Sequence, residues 1–166
     1  AYEVAGPIDF GSGHIRPAHS ADPGLIYDAT YDDYLLFACS SGNAQLDPSF
    51  PCPCNPPSPS NLNHPSVAVA RLCGTVNLTR TVTNVGRGEA TYRVSVNEPN
   101  GVEVEVSPKL LTFREVGEKK SFVITLTPDA MGSGGYVAGD YTWSDGLHTV
   151  RSPILVSSCE CNVDVL

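Results

Sequence analysis

Six cysteines carry the most distinctive chemistry in this chain: Cys39, Cys52, Cys54, Cys73, Cys159 and Cys161. Six cysteines permit many disulfide pairings, and their spacing does not choose among them. Zinc is disfavoured because its cysteine ligands usually enclose two to four residues. Cys52 and Cys54 enclose one residue, as do Cys159 and Cys161. We therefore expect disulfides and no metal site.

One tripeptide, Asn77-Leu78-Thr79, is the chain's N-x-S/T motif with a middle residue other than proline. In a secreted protein this motif accepts an N-linked glycan. Disulfides likewise persist in oxidising, secretory compartments. The motif and the cysteines together predict Asn77 as a glycosylation site and an extracellular location.

Other reactive side chains do not form a recognisable catalytic pattern. The sequence contains no G-x-S-x-G elbow, and no cysteine stands apart as a nucleophile. Asp9-Phe10-Gly11 spells a kinase magnesium motif without its companion motifs, so we interpret it as a strand entering a glycine turn. His14 and His19 have no acid or second ligand at matching spacing, which favours structural histidines bonded to backbone. We predict no catalytic residue, no cofactor and no metal ligand.

The charge balance excludes two kinds of partner. The 166 residues contain 10 Lys+Arg and 18 Asp+Glu, a net charge of -8 at pH 7. A negative net charge repels the phosphate backbone of nucleic acids, so nucleic-acid binding is not expected. No apolar run reaches the roughly 18 residues of a membrane span, and no signal-peptide pattern opens the chain. With 41% hydrophobic and 17% charged residues, the composition is that of a globular protein.

Residues 1–65 have a different composition from the rest of the chain. They hold 10 of the 14 prolines, and their charged residues are seven acidic residues and the single cation Arg16. This composition indicates an irregular segment. Within it, residues 31–39 show helical spacing of apolar side chains, with Asp28 or Thr30 as the N-cap. Residues 48–59 are too rich in proline for regular hydrogen bonding and should form a loop stapled by cysteines.

From Ser66 onward, apolar residues recur with period two in runs rich in Val, Thr and Tyr. We predict strands at 67–70, 76–83, 90–96, 102–106, 110–113, 121–126, 139–143 and 149–156. Asp145-Gly146 between two apolar runs predicts a hairpin. Trp143 is expected in the core, and Glu103 and Glu105 on the solvent face. The predicted fold is mainly β, an immunoglobulin-like or fibronectin type III β-sandwich preceded by an irregular segment with one short helix.

Several blocks of the sequence resemble plant subtilisin-like serine proteases, the cucumisin-like subtilases. GSGHIRP (11–17), ADPGLIYD (21–28) and DYLLFAC (33–39) resemble the end of their catalytic domain. LNHPS (62–66), RTVTNVG (80–86), PKLLTF (108–113) and WSDGLHTVRSP (143–153) resemble the fibronectin type III-like domain that follows it. His64 stands where the family usually has Tyr, and the cysteine-rich loop and tail also depart from its pattern.

The resemblance implies three parts. Residues 1–64 are a remnant of the catalytic domain with a Pro/Cys-rich linker, 65–158 the fibronectin type III-like domain, and 159–166 a Cys-containing tail. In that family the Asp/His/Ser triad precedes the block at 11–17, so the chain holds no triad member and should be inactive alone. The implied role is non-catalytic: to support stability, substrate approach or assembly of a secreted endopeptidase in the apoplast or cell wall.

A partner is also expected on physical grounds. A Pro-rich segment builds little core of its own, so its apolar side chains require cover. They are Ile8, Phe10, Ile15, Leu25, Ile26, Leu35, Leu36 and Phe37. The expected partner is the subtilase catalytic domain, as a missing N-terminal part or a separate chain, and a homodimer is the other possibility. An independent binding module for protein or glycan stays open, as does a protease inhibitor acting through Cys52-Pro53-Cys54.

Overall fold

The computed structural model describes residues 5–42, 45–86, 88–129 and 135–159. In these ranges the chain forms short helices followed by a series of strands. In order they are α1 Pro7–Phe10, α2 Pro17–Ser20, β1 Leu25–Ile26, α3 Tyr31–Ser40, the 3-10 turn Pro59–Asn61, β2 Val67–Leu72, β3 Val76–Asn84, β4 Ala90–Asn97, β5 Val102–Ser107, β6 Leu110–Phe113, β7 Lys119–Pro128, β8 Tyr136–Ser144 and β9 Thr149–Ser158. No helix among the described residues is long and apolar enough to cross a membrane.

Within the described ranges the strands form two sheets. One has the order β1-β3-β7-β5 and the other β2-β9-β8-β4-β6. Their pairings are antiparallel except for β2, which runs parallel to β9. The predicted β-sandwich is confirmed, and each of the eight predicted strands is present.

The core lies between the two sheets and follows the period-two pattern. In β5, Val102, Val104 and Val106 are buried, whereas Glu103 and Glu105 are exposed as predicted. Trp143 is fully buried, which confirms its predicted place in the core. Its ring packs edge-on against Phe122 at a centroid distance of 5.1 Å, a favoured aromatic geometry.

Helix α3 is confirmed where the apolar spacing predicted it. The side chain of Thr30 accepts a hydrogen bond from the Asp33 backbone N–H, and the Asp33 carboxylate accepts one from the Thr30 backbone N–H. This reciprocal capping box satisfies backbone donors that the first helical turn otherwise leaves unpaired. Of the two predicted N-caps, Thr30 is therefore the one used.

The region around Asp9 is helical, so the predicted strand there is wrong. Backbone N–H groups of Asp9 and Phe10 donate to the carbonyl of Gly6, and the Asp9 carboxylate accepts from the Gly6 N–H. These local bonds favour a single helical turn over an extended strand. The predicted glycine turn does follow, with Gly11 at φ +62°.

Candidate functional site

The N-terminal part of the chain is joined to the sandwich through residues 22–28, which we call the docking segment. Its two-residue strand β1 pairs with the end of β3. The carbonyl of Gly24 accepts hydrogen bonds from the backbone N–H groups of Val85 at 2.9 Å and Gly86 at 3.1 Å. Leu25 enters the core and is 2% exposed. The docking segment is thus an edge strand of the sandwich, although it lies far from β3 in sequence.

Gly24 is placed where no side chain fits. Its φ is +76°, and a Cβ there would lie 2.5 Å from Tyr92 Oη and 2.7 Å from His148 Cβ. Glycine adopts positive φ without steric cost and allows this close approach. The docking segment therefore contacts the sandwich directly through its backbone.

Beside Gly24, the imidazole of His148 lies between two carboxylates. Its Nδ1 is 2.8 Å from Asp145 Oδ2, and its Nε2 is 3.2 Å from Asp22 Oδ1. Asp145 Oδ1 also accepts hydrogen bonds from the backbone N–H groups of Leu147 and His148. Asp22 belongs to the docking segment and Asp145 to the β8–β9 turn, so the imidazole bridges the two.

The electrostatics of this bridge favour the charged pair. The hydrogen bond to Asp145 raises the pKa of His148, and the contact with Asp22 adds to it, although partial burial opposes both. For Asp145, burial alone would raise the pKa, but the hydrogen bonds from the His148 side chain and backbone outweigh it and lower the pKa to about 2. An imidazolium between two carboxylates is the state that this geometry stabilises.

The cluster resembles the His–Asp pair of a hydrolase, but its geometry differs where catalysis would occur. A catalytic imidazole needs its second nitrogen for a nucleophile, whereas Nε2 of His148 is occupied by Asp22. Among the described residues, no group of three or more His, Cys, Asp or Glu side chains is arranged to hold a metal. The contacts of His148 join the docking segment to the β8–β9 turn, and we call the three residues Asp22, Asp145 and His148 the clamp.

A second set of polar contacts holds the other end of the docking segment. The Asp28 carboxylate accepts a hydrogen bond from Thr83 Oγ1 and pairs with Lys119 Nζ at 2.9 Å. These contacts lower the pKa of Asp28, and the hydrogen bond from Thr83 has the largest effect. The Asn63 amide donates to the carbonyls of Asp28 and Thr81, each at 2.8 Å, and accepts from the Thr81 N–H. Asn63 thus links the linker, the docking segment and β3.

Helices α1 to α3 and the turns between them leave large apolar side chains in solvent. Ile15 is 78% exposed and Ile8 is 65% exposed. We call the following residues the exposed apolar set: Ile8, Phe10, Ile15, Tyr31, Tyr34 and Phe37. Of the apolar residues expected to require cover, Leu25 and Leu35 are buried within the chain, and Ile26 and Leu36 are half-buried.

The cysteines form two disulfides within the described ranges. Cys39 at the end of α3 bonds to Cys52 in the proline-rich loop, and Cys73 bonds to Cys159 across the β2 and β9 termini. Cys54 is exposed and has no disulfide partner among the described residues. Cys161 lies outside them. The pairing that spacing left open is decided by which chain segments the fold brings together.

Asn77, the predicted glycosylation site, lies on the outward face of β3. Both Asn77 and Thr79 are exposed. Asn77 Oδ1 accepts a hydrogen bond from Thr125 Oγ1 at 2.9 Å. Because a glycan is attached at Nδ2, this contact leaves the attachment atom accessible.

His14 and His19 do not behave as predicted. Both are exposed, and neither imidazole hydrogen-bonds to the described residues. The imidazoles that do make hydrogen bonds are those of His64, to Ser66, and His148, whose contacts with Asp145 and Asp22 were not predicted. A signal was available, because Asp145 and His148 are three residues apart in a predicted hairpin turn, where an aspartate commonly binds nearby backbone N–H groups.

The two sheets of strands place the chain in the class of β-sandwich proteins. The family model for the fibronectin type-III domain matches residues 61–156, and the chain belongs to that family. Among solved structures, the ASH/PapD-like domain of human CEP192 matches with a TM-score of 0.43 and 16% identity, over 70% of this chain and 99% of that chain.

Comparison with curated proteins gives the nearer relationship. The chain is 46% identical over 161 residues to subtilisin-like protease SBT5.6 of Arabidopsis thaliana, which covers 92% of this chain and 20% of that protein. It is also 46% identical to subtilisin-like protease SBT5.5 over 92% of this chain, and 44% identical to SBT5.4 over 94%, both from Arabidopsis thaliana. The predicted resemblance to the C-terminal region of plant subtilisin-like proteases is confirmed. The chain spans about a fifth of the length of these relatives.

Proposed function

We propose that this chain is the non-catalytic C-terminal portion of a secreted subtilisin-like serine endopeptidase. Its partner is the catalytic domain, either preceding it in one polypeptide or bound as a separate chain. The observation that carries this proposal is the exposed apolar set, which belongs to the part of the chain that resembles the end of a catalytic domain. Large apolar side chains exposed in one part of a chain favour an interaction that covers them.

The proposed division assigns residues 1–64 to the end of the catalytic domain and its linker, 65–158 to the fibronectin type III-like domain, and 159–166 to the tail. Residues 1–64 bury Leu25 and Leu35 against the chain but leave Ile8, Phe10 and Ile15 exposed. Burial of such side chains yields about 1.5–3 kcal/mol each. A catalytic α/β layer that covers them would therefore gain appreciable stability.

The role follows from how the docking segment is held. Strand β1 pairs with β3, and the docking segment is also held by His148, which contacts Asp22, and by Lys119, which pairs with Asp28. A catalytic domain that ends within residues 1–64 would therefore be tied to the sandwich. We infer that the sandwich stabilises the catalytic domain and sets its position during substrate approach or assembly. Two disulfides and an accessible Asn77 motif support an extracellular location in the apoplast or cell wall.

Native mass spectrometry of material from the source, with fluorophosphonate labelling of the same preparation, tests the partner. The expected result is this sequence covalently continuous with, or bound to, a larger labelled polypeptide. A second copy covering the same apolar side chains would instead give an unlabelled mass of twice 17.6 kDa. An unlabelled monomer with no associated chain would contradict the proposal.

Substitution of the exposed apolar set tests the supporting role. In the whole protease, Ile15→Ser should lower the melting temperature and the secreted yield, because it weakens the contact with the catalytic domain. Val116→Ser is the matched control, since Val116 is 59% exposed in the turn between β6 and β7 and lies outside residues 1–64. Equal effects of the two substitutions would contradict the proposed interface.

A further inference from the structure

Arg80 is a buried cation without a carboxylate partner. It lies on the inward face of β3 between Leu78 and Val82, and it is 3% exposed. Its Nε donates to the His64 carbonyl and its Nη1 to the Thr79 carbonyl, each at 2.9 Å. Among the described residues it makes no ion pair, although the chain contains 18 acidic residues. Arginine is rarely so deeply buried unless an anion accompanies it.

The guanidinium retains N–H groups that donate to none of the described residues. Nη2 makes no hydrogen bond to the described residues. Among those residues, the fully buried side-chain polar atom without a hydrogen bond is Trp143 Nε1, and Nη2 is not counted with it. Arg80 is also one of the residues that line a cleft in the surface. Burial lowers the pKa of Arg80, with Tyr141 and Tyr27 opposing that effect. No carboxylate of the described residues therefore compensates the positive charge of Arg80.

The cleft beside Arg80 has a mixed lining suited to a small amphipathic ligand. Its volume is about 370 Å³, within the range of small-molecule sites. Phe37 and Leu62 supply apolar walls, and Ser60 and Ser66 supply hydroxyl groups. A cation in the lining of such a cleft matches a carboxylate carried on an apolar body, because guanidinium and carboxylate form paired, charge-assisted hydrogen bonds.

We propose that the cleft lined by Arg80, Phe37 and Leu62 is a binding site for the carboxylate of an amphipathic organic acid. The carboxylate accepts hydrogen bonds from Nη1 and Nη2 of Arg80, and the apolar body lies against Phe37 and Leu62. The same chemistry is available from a free acid or from an acidic side chain of a docked polypeptide. The proposal does not depend on the proposed function, since it concerns residues of this chain alone.

Titration of the 166-residue chain with hexanoate tests the site directly. The readout is the Arg80 Nε–Hε resonance in ¹⁵N NMR spectra, assigned by its loss in Arg80→Met. Hexanoate should shift this resonance saturably with a dissociation constant on the order of 1 mM, as expected for a small ligand with one charged anchor. Hexanamide, which has the same body without charge, should bind at least about tenfold more weakly.

The variants separate a site from general salt effects. Arg80→Met should weaken hexanoate binding, followed through the Phe37 ring resonances, by about tenfold or more, whereas the exposed control Arg93→Met should leave it unchanged. The hexanoate and hexanamide comparison uses the unaltered chain, so it stays decisive even where Arg80→Met impairs folding. No saturable shift, or equal shifts with the two ligands, would overturn the proposal.

Hexanoate titration of the whole protease decides which molecule supplies the carboxylate. A free acid as the natural ligand predicts that hexanoate binds the whole protease as it binds this chain. An acidic side chain of the docked catalytic domain predicts that the Arg80 resonance already lies at its bound position and that hexanoate no longer shifts it. Both results support a carboxylate site, and they differ only in what fills it.

Discussion

Asp22 and His148, distant in sequence, meet at 3.2 Å between the carboxylate and Nε2. Their contact closes the docking segment onto the β8–β9 turn, with Asp145 on the other nitrogen of the ring. Because two carboxylates flank one imidazole, the strength of this clamp depends on whether His148 is protonated.

The clamp predicts a pH-dependent stability with a maximum in mildly acidic solution. The pKa of His148 is raised above 6.5, so its contribution is complete below that pH and is lost as pH rises through the raised pKa. The pKa of Asp145 falls from 3.8 to about 2, so its contribution of about 2 kcal/mol is present above pH 3.8 and is lost as pH falls towards 2. Urea unfolding between about pH 2 and pH 9 measures the profile.

His148→Gln should flatten the alkaline side of that profile, because glutamine cannot carry the proton. His14→Gln is the control, since the His14 imidazole makes no hydrogen bond to the described residues. A decline above pH 6.5 that survives in His148→Gln would show that another group causes it.

Gly24→Ala should destabilise the chain more than Gly42→Ala. The two glycines have φ values of +76° and +77°, but only Gly24 would bring a Cβ against Tyr92 and His148. The positive φ alone costs about 1–2 kcal/mol in each variant, and overpacking adds about 1–3 kcal/mol at Gly24. Urea unfolding of both variants measures the difference. Equal losses would mean that residues 22–28 do not lie closely on the sandwich.

Asn84→Asp should cost about 2–4 kcal/mol, because it replaces a donor by a negative charge facing carbonyl oxygens. Asn84 is fully buried, and its Nδ2 donates to the carbonyls of Gly88 at 2.9 Å and Glu115 at 3.1 Å. Asn100→Asp makes the same change of charge at an exposed turn and should have little effect. Thermal and urea unfolding compare the two, and similar losses would count against the buried amide network.

The two disulfides should differ in their contribution to stability. Cys73 and Cys159 are 86 residues apart, whereas Cys39 and Cys52 are 13 apart. From the chain entropy of the closed loops, removing the first pair should cost about 4–5 kcal/mol and removing the second about 3 kcal/mol. Double Cys→Ala variants, compared by urea unfolding, measure the order. A non-reducing peptide map that shows other pairings would contradict the assignment itself.

Expression through a secretory pathway should place a glycan on Asn77. The expected result is a mobility shift that peptide N-glycosidase removes and that Asn77→Gln abolishes. Thr79→Ala should also abolish it, because the motif requires the hydroxyl residue, whereas Thr125→Ala should not. An unshifted wild-type chain would contradict this prediction.

Much of the architecture was readable from local patterns. Alternation of Val with Glu in residues 102–106 predicted a strand with one buried face, and Asp28 or Thr30 before an apolar repeat predicted the start of α3. Such features depend on neighbouring residues and on the geometry of strands and helices, so they can be predicted without knowledge of the tertiary fold. Strand β1 was missed because two residues are too few to show a period.

The sequence by itself determined a β-sandwich with an irregular N-terminal segment, a set of cysteines and an N-glycosylation motif. Only the tertiary structure decided that Cys73 bonds Cys159, that Asp22 meets His148, and that Arg80 is buried without a carboxylate. The inward position of Arg80 on β3 was visible in the period-two pattern, but its missing partner was not. The physical reason is that these contacts join segments distant in sequence, and strand register and packing set their distances.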